Sequence, residues 1–234
     1  MTSILKKAKR SYHLIHDGST RLFIDELKKR THSEIISLGL MRDITVPFEL
    51  PKAKIPIKIR KLRASDVSVL LDEEDLITRN LKLYDYQKGL IEEFFPYCYV
   101  AEDPQGKACY MQFLLGADLN DKIRKHSDGI FPRLAADEAL LEGAFMKLST
   151  RGQRIMPAAM ARIALRAKKM NAHKVLTFVD KDNIPSLKGC KRAGFSPYIT
   201  RIDHWSFFQL HTEFEPINEQ ILHEYNERMG ISAT

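Results

Sequence analysis

The sequence predicts an α/β fold: one mixed sheet carrying helices, preceded by a basic helical extension. Three observations predict it. Short apolar runs at 57–62, 97–101, 107–115, 140–148 and 175–179 have strand length, and helical stretches at 84–95, 155–171 and 184–193 alternate with them. The runs at 97–101 and 107–115 flank a tight turn, so they pair antiparallel. Residues 140–179 read strand, turn, helix, strand, the unit that builds a parallel pair.

Composition bounds the function classes. The chain has 234 residues, enough for one core with an extension. No run of about 18 apolar residues occurs, so no membrane span is expected. The basic N-terminus lacks the apolar core of a signal peptide. Three cysteines, Cys98, Cys109 and Cys190, have no metal-like spacing and read as reduced thiols, which points to the cytoplasm. His13 and His16 share a possible helix face, but no Cys or acidic cluster completes a metal site. The formal charge is +7, and residues 1–30 hold eight Lys or Arg against three Asp or Glu. That surplus suits an anionic partner or a solvated helix face.

In order along the chain, residues 1–50 form the extension. Leu22, Phe23, Ile24 and Leu27, then Ile35, Ile36 and Leu38, suggest one or two short helices, with Gly18-Ser19-Thr20 starting the first. Pro47, Pro51 and Pro56 punctuate a linker. A domain of residues 51–234 follows. Ile57, Ile59 and Leu62 make a short strand, and Ser65-Asp66 caps a helix through Val67 and Leu70. The helix at 84–95 stops at Pro96, and Asp103-Pro104-Gln105-Gly106 has the residues of a type I turn. Residues 116–137 are polar and read as a surface loop, either a lid or disordered. Ile155 to Asn171 is an amphipathic helix with Met156, Met160, Ile163, Ala167 and Met170 on one face. The run 175–179 suits a parallel strand covered on both sides. A short helix at 184–193 ends at Gly194, two strands follow near 198–202 and 205–211, and residues 216–229 form a closing helix.

The turn Arg151-Gly152-Gln153-Arg154-Ile155-Met156 leads from strand to helix. Such a turn aims unpaired backbone N–H groups and a positive dipole end at one point, where an anion fits. By itself it is equally a plain strand-to-helix turn. Farther on, Asn183, Ser186 and Gly194-Phe195 stand at offsets of three, eleven and twelve. Singly these are an N-cap, a helix residue and a core aromatic.

Together with the strand–turn–helix–strand unit, these residues resemble the GNAT acyltransferases over residues 57–211. The family's turn begins with Arg or Gln and has small residues at its fourth and sixth positions. This chain matches at Arg151 and departs at Arg154 and Met156. The resemblance implies a GNAT fold in which two parallel strands splay and hold acetyl-CoA, the acyl donor, between them. It implies backbone contacts from Met146 and Leu148 to the pantetheine arm, and a diphosphate cradle at Arg151, Gly152, Gln153, Arg154, Ile155 and Met156. Arg154 offers a guanidinium to phosphate in place of a backbone contact. Asn183 and Ser186 lie near the arm. Glu142, six residues before Leu148, is the implied general base, with Glu138 in reserve. The family's usual Tyr, seven residues after the Asn, is Cys190 here, so Tyr198 is the stand-in proton donor.

The expected activity is N-acyl transfer by direct attack of an amine: an amino sugar, another small amine or a protein amino group. A GNAT-fold binding or regulatory protein without catalysis is the alternative, favoured by Arg154, Met156 and the missing Tyr. Nucleic acid is not an expected partner, because aromatic and basic residues do not interleave. A homodimer is compatible with the sequence.

Overall fold

The computed structural model describes residues 31–71 and 81–231. The helix expected around residues 22–27, the basic run of residues 1–30, and His13 and His16 lie outside them. The elements in chain order are β1 (His32–Asp43), β2 (Lys58–Lys61), α1 (Ala64–Leu70), α2 (Leu81–Phe94), β3 (Cys98–Glu102), β4 (Ala108–Gly116), α3 (Asn120–His126), β5 (Glu138–Met146), α4 (Ile155–Ala164), β6 (Lys174–Asp180), α5 (Ile184–Arg192), β7 (Ser196–Ser206), β8 (Gln209–Pro216) and α6 (Glu219–Met229).

The strands form one eight-stranded sheet in the order β2-β3-β4-β5-β6-β1-β7-β8. Only β5 and β6 run parallel; the other neighbours are antiparallel. Alternate residues serve opposite faces, as the period of two requires. On one face Tyr110, Leu114, Leu141 and Val175 pack with Ile155, Ala159 and Ile163 of α4, Leu187 of α5 and Tyr225 of α6. On the other, Met111, Phe113, Leu140 and Leu176 pack with Leu70 of α1, Leu90 and Phe94 of α2 and Ile123 of α3.

One expectation is overturned. Ile35, Ile36 and Leu38 are not helical; they lie in β1, which sits inside the sheet between β6 and β7. Both edges of β1 are hydrogen-bonded, and two β-branched residues suit a pleated, covered position better than an exposed helix. Arg42 ties this strand to the helical layer: it is buried, and its Nη1 donates to the carbonyls of Ala193 (2.9 Å) and Ala161 (3.3 Å).

Other differences are smaller. Asp66 is not the N-cap of α1. It stands in the first turn, where its carboxylate accepts from the Arg63 amide (2.8 Å) and from Arg60. The segment 116–137 is not a plain loop: it contains α3, and the Asn120 side chain clasps Leu134 through two hydrogen bonds of 2.9 and 2.8 Å. The strand expected at 140–148 runs from Glu138 to Met146, and Leu148 lies in a short 3-10 turn. The long helix at 155–171 is α4 followed by a 3-10 stretch, Leu165–Met170. The strand expected at 205–211 is divided: Trp205 and Ser206 close β7, Phe207 and Phe208 turn, and β8 begins at Gln209.

Candidate functional site

The site begins where the one parallel pair among the described residues comes apart. β5 and β6 pair at Glu138↔Lys174, Ala139↔Val175 and Leu140↔Leu176, and there the ladder stops. β5 continues to Met146 and β6 to Asp180 with no further pairing between them. The cause is local. Phe113 opposes Glu142 and Met111 opposes Phe145, so Gly143 and Ala144 together face the single residue Gln112. This is a β-bulge, which bends its strand and sharpens its twist. Gly143 has φ +65°, a conformation that glycine adopts without strain. β5 therefore stays with β4 and turns away from β6.

A cavity of about 200 Å³ opens at the split and reaches both faces of the sheet. Tyr86 and Gln87 of α2 wall one side together with Glu142. Met156 of α4 and Asn183 and Ser186 at the start of α5 wall the other. Four residues singled out from sequence thus border one space.

Glu142 is half-buried, and its Oε1 accepts a 2.7 Å hydrogen bond from the Tyr86 hydroxyl. Desolvation raises its carboxyl above the ordinary value of 4.5; the bonds from Tyr86 and the Gly143 backbone, and the charge of Arg201, act the other way. Burial and the Glu142 charge push the Tyr86 phenol well above 10, so it serves as a donor. The pair leaves a carboxylate whose affinity for a proton is raised by desolvation.

The turn into α4 contains two residues with positive φ. Gly152 has φ +79°, and a Cβ there would meet nothing within 4 Å, so conformation rather than space calls for glycine. Arg154, the N-cap of α4, has φ +55° and makes no side-chain cap bond. By contrast, Asn183 caps α5 by accepting from the Ser186 amide at 3.3 Å. Arg151 and Arg154 are exposed, and the Gln153 carbonyl accepts from the Lys54 amide at 2.8 Å. Ile155 is buried in the core. Met156 leans toward α5: an added Cβ on Gly189 would fall 2.8 Å from its Sδ. It narrows the cavity wall without closing the cavity.

Other expected residues are not brought to the cavity. Met146 pairs with Tyr110 of β4, and the Leu148 carbonyl already accepts from the Arg151 amide at 3.1 Å. Tyr198 does not border the cavity. It packs edge-on to Phe178, ring centres 6.5 Å apart, and burial raises its phenol well above 10. Cys190 borders the cavity, but burial pushes its thiol up to about 12, so it is no thiolate nucleophile near neutral pH.

Sequence reasoning missed Tyr86 and Gln87. A signal existed for Gln87. It shares the inward stripe of α2 with Leu90, Ile91 and Phe94, and a polar residue in an apolar stripe asks for a partner.

A larger open groove, about 920 Å³, lies beside the cleft between α3, Phe131 and β8. Phe131 and Phe214 both pack on Phe178 of the cavity wall, at 5.7 and 6.0 Å between ring centres.

No protein-family model matches the chain, and no curated protein matches it in sequence. Solved structures share its shape. The glucosamine N-acetyltransferase region of a fungal multi-domain β-N-acetylglucosaminidase aligns with a TM-score of 0.55 at 15% identity, over 80% of this chain and 23% of that one. A GCN5-related N-acetyltransferase from Sphaerobacter thermophilus aligns with a TM-score of 0.50 at 10% identity, over 86% of this chain and 58% of that one. This chain therefore spans less than two thirds of the length of either. A Mycobacterium tuberculosis protein solved in complex with CoA aligns at 17% identity over 75% of this chain and 89% of that one; its TM-score of 0.41 adds nothing to the fold assignment. The fold is that of the GNAT acetyltransferases, at low sequence identity. Among the described residues no helix is long and apolar enough to cross a membrane.

Proposed function

We propose that this chain, built on the GNAT fold, is an N-acyltransferase that moves an acetyl or short acyl group from acyl-CoA to an amine. One observation carries the reading: the β5–β6 ladder stops at Leu140↔Leu176, and the cavity at that split has Glu142 in its wall. When bound, acetyl-CoA supplies the acyl group as an activated thioester. The chain's residues do the rest. The open edge of β5 orients the pantetheine arm by strand-like hydrogen bonding. Gly152 and the uncapped start of α4 receive the diphosphate, with Arg151 and Arg154 adding charge. Asn183 and Ser186 border the arm. Glu142, steadied by Tyr86, takes a proton from the ammonium and frees the nitrogen lone pair for attack. Tyr198 has no role in this proposal. The acceptor is a small amine, an amino sugar among them, or a protein amino group; the open groove beside Phe131 is its approach.

Two measurements test this. Acetyl-CoA at a hundredfold excess over its Kd stabilises the folded chain by about 2.7 kcal/mol, which raises Tm by roughly 5–10 °C. Thiol release from acetyl-CoA with a panel of amines then reads turnover. No Tm shift at millimolar acetyl-CoA overturns the reading and leaves a GNAT-fold binding protein.

Arg154→Gly separates backbone from side chain. It removes a left-handed non-glycine residue, which costs about 1–2 kcal/mol, while adding back chain entropy worth up to about 1 kcal/mol. The apo Tm is expected to hold or rise. If the guanidinium pairs with phosphate, the Kd for CoA weakens about tenfold, as titration calorimetry reads.

A further inference from the structure

We propose that Gln87 makes this site select an amine over an alcohol, by accepting one N–H of the acceptor while Glu142 takes another proton. The proposal rests on the acyltransferase reading. Gln87 is 1% exposed, and its Oε1 has no hydrogen-bond partner among the described residues. It borders the same cavity as Glu142, from the next residue after Tyr86. A buried carbonyl oxygen without a donor costs about 1–3 kcal/mol, so such groups are rare unless a water or a ligand completes them. The Gln87 side chain lines the candidate reaction chamber.

The chemistry of the cavity follows from counting protons. Several acceptors border it: Gln112 Oε1, Asp180 Oδ1 and Asn183 Oδ1 already accept hydrogen bonds within the chain, which leaves the unpartnered Gln87 carbonyl and the Glu142 carboxylate as the pair for an incoming amine. The Tyr86 hydroxyl is already committed to Glu142 at 2.7 Å. A primary ammonium carries three N–H bonds. One proton passes to Glu142, one N–H donates to Gln87, and the freed lone pair points at the acyl carbon. An alcohol carries a single proton. Once that goes to Glu142, the acceptor's oxygen lone pairs face the Gln87 carbonyl oxygen, and in this amide orientation both are left unsatisfied. Sites that leave a buried polar group unpaired against the wrong substrate discriminate by large factors.

Gln87→Met tests this. It keeps the length of the side chain and removes a buried unpaired oxygen, so Tm is expected to hold or rise. With acetyl-CoA and the best acceptor among glucosamine, spermidine, tryptamine and a short peptide amino terminus, kcat/KM falls about tenfold, and the Tm shift on adding acetyl-CoA is unchanged. The ratio of N- to O-acyl product, read by mass spectrometry with glucosamine against glucose, falls with it. Gln87→Glu keeps an acceptor oxygen in place. It restores the amine preference and moves the pH midpoint of turnover upward, because a second carboxyl near Glu142 disfavours its charged form. Equal losses in both variants, or wild-type kcat/KM and product ratio in Gln87→Met, overturn the role of Gln87 while leaving the acyltransferase reading standing. No thiol release with any amine overturns both.

Discussion

Glu142→Gln will lower turnover by about 10²–10³ while leaving the acetyl-CoA Tm shift in place. The amide is nearly the same size and still accepts from Tyr86, so the wall of the cavity keeps its shape. What it loses is the capacity to take a proton from the ammonium. The pH profile gives the second readout. Desolvation holds the Glu142 carboxyl above its ordinary 4.5, so wild-type kcat/KM climbs with pH through that raised value, and this limb vanishes in the variant. Stability moves oppositely. A carboxyl raised by folding favours the native state most where it is protonated. That contribution is full below the unfolded value and is lost as pH rises through the folded one. Glu142→Gln has no such loss, so its Tm at neutral pH is expected to equal or exceed wild type. Turnover within threefold of wild type, or an unchanged acid limb, removes Glu142 from the chemistry.

Gly143→Val will destabilise the fold by roughly 3–5 kcal/mol, a fall in Tm of about 6–20 °C. Two effects add. The residue sits at φ +65°, where a β-branched side chain is strained, and an ideal Cβ would lie 2.5 Å from Leu90 Cδ1 and 2.9 Å from Phe113 Cδ2. Both neighbours belong to the core beneath α2, so neither yields cheaply. Gly106→Ala is the control. Gly106 has φ +80° at an exposed hairpin turn, and a Cβ there meets nothing within 4 Å, so only the conformational cost of about 1–2 kcal/mol applies. Equal losses at the two glycines, read by urea titration, would show that crowding at the bulge contributes nothing. The bulge also sets where β5 leaves β6, so material that still folds is expected to bind acetyl-CoA less tightly.

Much of the fold was legible because its signals are local. The Asp103-Pro104-Gln105-Gly106 turn formed as read: the Asp103 carboxylate accepts from the amides of Gln105 and Lys107, both at 2.9 Å, and Gly106 is left-handed. Asn183 capped its helix and Gly194 ended it at φ +87°. The chain around Ile35 was misread because three apolar residues in a short polar run fit a helix face as well as a strand. Two neighbouring strands, from the far half of the chain, decided between them. Tyr86 and Gln87 stood in a helix whose pattern could not say that Tyr86 would bond Glu142, 56 positions away, or that Gln87 would line the same cavity.

From residue order alone came the strand–turn–helix–strand unit, its caps and its glycines, because each depends on backbone preference within a few positions; Glu142 was named through the family resemblance. Tertiary structure alone decided that β1 threads the middle of the sheet, that a bulge opposite Gln112 parts the parallel pair, and that an unpaired Gln87 carbonyl shares the opening with a desolvated Glu142. Those depend on which distant segments exclude water together, and no short stretch of sequence carries that information.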